Sequence, residues 1–246
     1  MNKYLSKQLE VTTSNVDANN VATNKFLLQT FQDVAVLHAN QLGFGWNVLN
    51  DERKLWIVSK VAAQVVKPVR LHDIVTVTTW PSEPNKFFAD RHYKITNQQG
   101  EDMVLAVSRW CIIDFDTRKM ANPQVVSQRY YDGAYPQDKS GVDFSGKKVT
   151  LDDGFALSHT QKVRWTDLDL NYHVNNAKYV DFALDSLSVD CLRGKYTANF
   201  EISYHGECKM DDEIAVYSSI QDDLHKVVGQ KEGNTCFTYL ANYKNL

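Results

Sequence analysis

Two stretches of this 246-residue chain lie over two later stretches, in the same order and without gaps. Val11 to Leu28 matches Val163 to Val180 at an offset of 152, and Leu71 to Val77 matches Met210 to Val216 at an offset of 139. A chain written twice folds as two similar units. The apolar positions of both early segments agree: Leu27 meets Tyr179, Leu28 meets Val180 and Phe31 meets Ala183. The two offsets differ by 13 residues, which predicts an extra loop in the first copy around Gly43 to Arg53.

The first copy opens with a strand-like stretch around Glu10 to Thr13, then a helix from Asn24 to Leu42. Leu27, Leu28, Phe31, Val34 and Ala35 form one apolar face at helical spacing, and Gly43 is a natural stop. From Leu55 to Trp110 the period becomes two. Val61, Ala63 and Val65 alternate with their neighbours, as do Val75, Val77 and Thr79, and Tyr93 and Ile95, with a hairpin turn at Asn97 to Gly100. The second copy repeats the order, with a strand at Lys162 to Trp165, a helix over Asn176 to Leu187 and strands from Thr197 to Leu240. One helix followed by several antiparallel strands is an α+β unit, its helix packed on a curved sheet. The expected division is 1–123, a Gly- and Pro-bearing connector over 124–154, and 155–246.

Composition removes several functions. Lys plus Arg is 27 and Asp plus Glu is 30, so the chain lacks the basic field that nucleic acid requires. No apolar run approaches the roughly 20 residues that span a bilayer, so no membrane partner is expected. Cys111, Cys191, Cys208 and Cys236 are scattered, which suits neither a zinc site nor a disulfide framework. No signal-like apolar run follows Met1, and a cytoplasmic setting is the default expectation.

The chemistry concentrates in Asp167-Leu168-Asp169-Leu170-Asn171-Tyr172-His173-Val174-Asn175-Asn176, directly before the second helix. Asn175 is a candidate cap, which would leave first-turn N–H groups free to stabilise a developing oxyanion. The bland alternative is an Asx-rich turn. The first copy discriminates between them: Asp17-Ala18-Asn19-Asn20-Val21 keeps the Asp and Asn but has Val21 where the second has His173. The acid–base group is therefore confined to one copy. A second cluster, His205-Gly206-Glu207-Cys208-Lys209, reads as part of a strand and aligns with Val66, Lys67, Pro68, Val69 and Arg70. His38, His72, His92, His159 and His225 occur singly and read as surface or structural residues. No H-E-x-x-H, G-x-S-x-G or G-x-G-x-x-G is found.

The run Asp169 to Tyr179, with Tyr204 to Cys208 downstream, resembles the acyl-acyl-carrier-protein thioesterases of plant plastids and bacteria. Those enzymes carry a D-x-N-x-H-V-N-N-x-x-Y helix start and an E-C strand some thirty residues later; here Glu207 follows His173 by 34. Leu55 to Ser59 and Asp73 to Trp80 are similar to first-domain segments of the same family. The resemblance implies two tandem hot-dog units, each an antiparallel sheet wrapped around a long helix. It also implies hydrolysis of fatty acyl-acyl carrier protein without metal or other cofactor. The first unit would hold the acyl tail and the second would carry catalysis.

Asp169, Asn171, His173, Glu207 and Cys208 are the candidate catalytic residues. Side chains alternate along a strand, so Glu207 and Cys208 should face opposite ways unless a bulge intervenes. A thiol nucleophile would merely exchange one thioester for another, which favours Asp169 and Glu207 handling water while Asn171 and His173 position and stabilise. Lys162, Arg164 and Lys178 are candidate contacts for an acidic carrier. An acyl-CoA thioesterase of the same fold, a hot-dog dehydratase and a non-catalytic acyl-binding module are the competing readings. A homodimer of tandem chains is left open, because the chain already supplies internally the pairing that single units obtain by dimerising.

Overall fold

A computed structural model describes residues 2–131, 133–221 and 223–246. The first half runs β1 (Leu5–Glu10), α1 (Asn24–Gln41), α2 (Trp46–Asp51), β2 (Lys54–Val65), β3 (Ile74–Pro81), β4 (Ala89–Thr96), β5 (Asp102–Asp114), β6 (Met120–Ala121) and α3 (Pro123–Tyr130). The second runs β7 (Ala156–Lys162), α4 (Lys178–Leu184), α5 (Val189–Leu192), β8 (Lys195–Tyr204), β9 (Glu213–Gln221), β10 (Leu224–Lys231) and β11 (Asn234–Asn245). All strands join one antiparallel sheet in the order β1-β3-β4-β5-β2-β8-β11-β10-β9-β7, with β6 beside β5. Read outward from the middle, both halves have the same strand order, so each α+β half is wound alike. The halves meet at β2 and β8, from Lys60 opposite Ser203 to Gln64 opposite Asn199.

The expected apolar face of α1 is buried, and Phe31 stacks 4.7 Å from Tyr93 of the sheet beneath. Thr23 caps this helix by accepting the N–H of Phe26. Tyr179, Val180, Phe182 and Ala183 of α4 are buried against the second half of the sheet, with Tyr179 5.1 Å from Phe237. The two helices are tied together by the Lys25–Asp181 ion pair at 2.8 Å.

The repeat persists in the hydrogen bonds. Asp17 N–H reaches the Val21 carbonyl at 2.8 Å, and Asp169 N–H reaches that of His173 at 2.8 Å. Ala22 N–H bonds to the Val69 carbonyl just as Val174 N–H bonds to that of Cys208. Asn20 and Tyr172 share a left-handed φ, 58° and 60°.

Five local expectations are corrected. The opening strand is Leu5–Glu10, and Thr13–Asn15 is a 3-10 turn. The strand before the second helix is Ala156–Lys162, and Trp165–Asp167 is the matching turn. These strands stop where Val11 and Val163 bury completely and the chain bends inward. The second helix is seven residues long, not twelve. The 13-residue excess is not a loop: it is the longer α1 together with α2, whose Leu49 packs on Ile112 and Val126. The proposed connector opens on α3, capped by Asn122, which accepts N–H bonds from Gln124 and Val125. Beyond α3, Asp138 accepts from Trp80 and Ser145 N–H bonds to Glu201, so this segment runs along the sheet.

Candidate active site

Asp169 organises the turn that presents the polar residues. Its Oδ1 accepts the N–H groups of Asn171 at 2.8 Å and His173 at 3.4 Å. Asp17 does the same for Asn19 and Val21 at 2.8 and 3.1 Å. The carboxylate is thus a turn-building element in both halves. The expectation for Asn175 is corrected. Its Oδ1 takes the Ala177 N–H and its carbonyl takes the Lys178 N–H, so these donors are consumed locally and do not point at a substrate.

Glu207 reaches the same place from the other side. β8 ends at Tyr204, correcting the strand reading of His205 to Lys209, and the N–H groups of His205 and Gly206 both bond to the Cys236 carbonyl. Two donors on one acceptor make a bulge, which re-aims the chain. Glu207 Oε2 then stands 3.5 Å from His173 Nε2. Arg118, from the turn between β5 and β6 of the first half, approaches the same oxygen at 3.6 Å. Arg118 was not among the sequence candidates. It is held at φ 56° in a turn built on Asp114, and nothing in its local pattern foretells a contact across the two halves.

Cys208 is completely buried and does not line the cavity, unlike the other four candidates. Its surroundings are Tyr179 and Cys236. Hydrogen bonding from Cys236 draws the Cys208 thiol down against burial, and the Cys236 thiol is pushed up. The Cys208 thiol is thus set back from the cavity on which the other four candidates stand.

Asp169, Asn171, His173 and Glu207 open onto a cavity of about 870 Å³ that runs between α1, β2 and the turn before α4, a volume within the range of small-molecule sites. Leu49, Trp56, Val58, Trp110, Val174 and Tyr179 give it a largely apolar wall. Burial pushes the Tyr204 hydroxyl, also in the wall, above its ordinary range.

The equivalent crevice in the first half is shut. Asn19 Nδ2 donates to the carbonyls of Leu192 and Lys195, at 2.8 and 3.0 Å, while its Oδ1 accepts the Gly194 N–H at 3.0 Å. The short connection from α5 to β8 therefore plugs that copy. Among the described residues the Asn171 amide makes no such tie to the equivalent α2–β2 connection and instead lines the open cavity. A second hollow of about 150 Å³ remains there among Leu55, Ile57, Asn171 and Glu207. Of the candidate carrier contacts, Lys178 pairs with Asp167 and Asp181 at 3.0 and 3.6 Å, and Lys162 pairs with Asp211 at 3.3 Å.

One continuous sheet carrying two equivalent helix-and-strand halves, with one crevice sealed and the other open and polar, is the double hot-dog class. Residues 2–128 match the acyl-ACP thioesterase N-terminal domain and residues 152–240 the C-terminal domain. The chain belongs to the acyl-ACP thioesterase family. It is 26% identical over 242 residues to a chloroplastic acyl-acyl-carrier-protein hydrolase of Cuphea viscosissima, covering 94% of this chain and 57% of that one. It is 27% identical over 228 residues to a chloroplastic palmitoyl-acyl carrier protein thioesterase of Gossypium hirsutum, covering 88% and 55%. The chain therefore spans little more than half the length of these relatives. The fold matches a crystal structure of an acyl-ACP thioesterase from Bacteroides thetaiotaomicron with a TM-score of 0.85, at 23% identity and 98% coverage of both chains. For a 12:0-ACP thioesterase from Umbellularia californica the TM-score is 0.89, at 18% identity, with 100% and 99% covered.

Proposed function

We propose that this chain hydrolyses the thioester of a fatty acyl group carried on acyl carrier protein, giving the free fatty acid and the carrier thiol. The observation that carries the reading is the Glu207–His173 pair, 3.5 Å apart, at the polar end of a large apolar cavity. Hydrolysis needs a base for water, donors for the oxyanion and a dry slot for the chain. Glu207 takes a proton from water as its oxygen attacks the acyl carbon. The Asn171 amide and the His173 ring hold the carbonyl oxygen as it gains charge, and the C–S bond breaks with its electron pair on sulfur, the leaving thiolate taking the proton back from Glu207 to become the carrier thiol. Asp169 positions both by fixing their backbone. The first half supplies most of the cavity wall and the second the Asp169, Asn171, His173 and Glu207 group, which favours a division into a tail-binding unit and a catalytic one.

Incubation with palmitoyl-acyl carrier protein, following free thiol, tests this directly. Thiol should appear, and faster than from palmitoyl-CoA at equal concentration. No release from any acyl-carrier substrate by a folded protein would overturn the reading. Release from CoA alone would reassign the partner.

A further inference from the structure

Not all the polar groups on the cavity belong to its catalytic end. Arg91 of β4 also lines it, although the residue is 6% exposed. It is in phase with Tyr93 and Ile95, both completely buried, so a permanent cation occupies a core position of the strand. Its Nη1 donates to His38 Nδ1 at 3.0 Å and to Thr79 Oγ1 at 3.3 Å. A guanidinium only donates, so His38 Nδ1 must accept. The His38 proton then sits on Nε2, which donates to the Asn2 carbonyl at 3.1 Å. His38 is thus neutral, its pKa pushed down to about 4 by burial and then by Arg91. It cannot compensate the charge. The adjacent Asp90 is engaged by Arg109 at 2.8 and 2.7 Å. Among the described residues no carboxylate lies within ion-pair distance of Arg91.

The second half shows what the fold does when no ligand has to be met there. Arg91 stands opposite Pro81, and the residue at the equivalent register, opposite Ile220, is His225. His225 is 1% exposed and bonded on both ring nitrogens, to Ser186 Oγ at 3.0 Å and Tyr243 hydroxyl at 3.1 Å. A neutral, fully bonded side chain fits that position. An uncompensated buried charge costs several kcal/mol, yet the first half places one on a cavity wall.

We propose that Arg91 forms an oxygen-binding subsite within the acyl cavity, and that the acyl chains taken by this protein carry a hydroxyl, oxo or carboxyl oxygen remote from the thioester. The subsite rests on the thioesterase reading above. Three strand spacings separate β4 from β8 in the sheet, roughly 14 Å, so the oxygen sits well along a chain of medium length. Tyr135 and Ser127, which line the same cavity, add hydroxyls to that end. A site built to bond a substrate oxygen discriminates strongly against the analogue that lacks it, because its own donors are then left unpaired.

The test compares octanoyl, decanoyl and dodecanoyl carrier thioesters with their ω-hydroxy, ω-oxo and ω-carboxy forms, using the whole chain and its Arg91→Met variant. At one of these lengths an oxygenated form should exceed the plain chain at least about tenfold in kcat/KM. Arg91→Met should bring that ratio to near one, through loss of the advantage of the oxygenated chain. Which oxygen function wins identifies the natural class. Equal or better use of plain chains throughout by the unaltered protein would overturn the subsite and leave the thioesterase reading standing. If nothing is hydrolysed, that reading fails, and calorimetry with free dodecanoic and ω-hydroxydodecanoic acids decides the subsite alone. Tighter binding of the hydroxy acid supports it, and equal affinity overturns it. The same calorimetry on the unaltered chain decides the matter if Arg91→Met does not fold.

Discussion

Asn19 and Asn171 hold equivalent positions in the repeat, yet alanine at each should damage a different property. The Asn19 amide ties the first half to the α5–β8 connection through three hydrogen bonds, at 2.8, 3.0 and 3.0 Å. At a net contribution of about 0.5–1.5 kcal/mol each, Asn19→Ala should lose about 2–4 kcal/mol of stability. A chain of this size shifts by about 2–4 °C per kcal/mol, so thermal unfolding should fall by about 5–15 °C. Activity of the folded variant should stay near normal, because Asn19 touches nothing on the open cavity. Asn171 stands on that cavity. Asn171→Ala should stay within about 0.5 kcal/mol of the parent in stability. Its kcat should drop about 10²–10³-fold, as for loss of one oxyanion donor. Urea or thermal unfolding and steady-state thiol release separate the two variants. Equal stability losses, or an Asn19→Ala protein that is folded but as inactive as Asn171→Ala, would refute the claim that one crevice is a joint and the other a site.

Further outcomes follow from neighbouring geometry. Glu207→Gln should cost about 10²–10⁴ in rate as the loss of a general base, whereas Cys208→Ala should keep most activity; a trapped acyl-cysteine in mass spectra would contradict this. His38 and His225 are held down to about 4 by burial, below the ordinary imidazole value of about 6.5, so the unfolded chain binds their protons first. Their stabilising effect is complete above pH 6.5 and is lost as pH falls towards 4, on the order of 3 kcal/mol for each. Urea midpoints from pH 7 to 4 should therefore decline, and less steeply in His225→Asn. Gly229→Ala would bring a Cβ within 2.0 Å of the buried Phe237 ring. It should destabilise by about 1–3 kcal/mol, and unchanged unfolding would mean that the ring moves aside freely.

The repeat was legible because turns are written in short-range chemistry. Asp17 and Asp169 each bind N–H groups two and four residues ahead, so a gap-free offset of 152 carries the geometry with it. Strand faces were readable for the same reason, since alternation is local. Helix length was less readable. Asn175 spends its side chain on a turn before the helix, where Thr23 caps α1 outright, and nothing in the apolar pattern distinguishes the two. The bulge after Tyr204 depends on a carbonyl in β11, and Arg118 arrives from the other half. Both are products of tertiary assembly. Arg91 did leave a trace: a cation in phase with Tyr93 and Ile95 breaks the alternation of an inward strand.

The seam between β2 and β8 also dictates how this chain folds. It joins residues about 140 positions apart, so its closure demands a large loop entropy before any contact rewards it. Hairpins such as β4–β5 and β10–β11 can close early, because their strands are neighbours in sequence. Until the seam forms, β2 and β8 are each a bare edge that can add a strand from any chain nearby. The last slow step in folding should therefore be the docking of two nearly finished halves. Concentrated refolding should lose material to pairing between chains at this edge, and a brief hydrogen-exchange pulse should find Ala63 and Phe200, which pair across the seam, protected later than either hairpin.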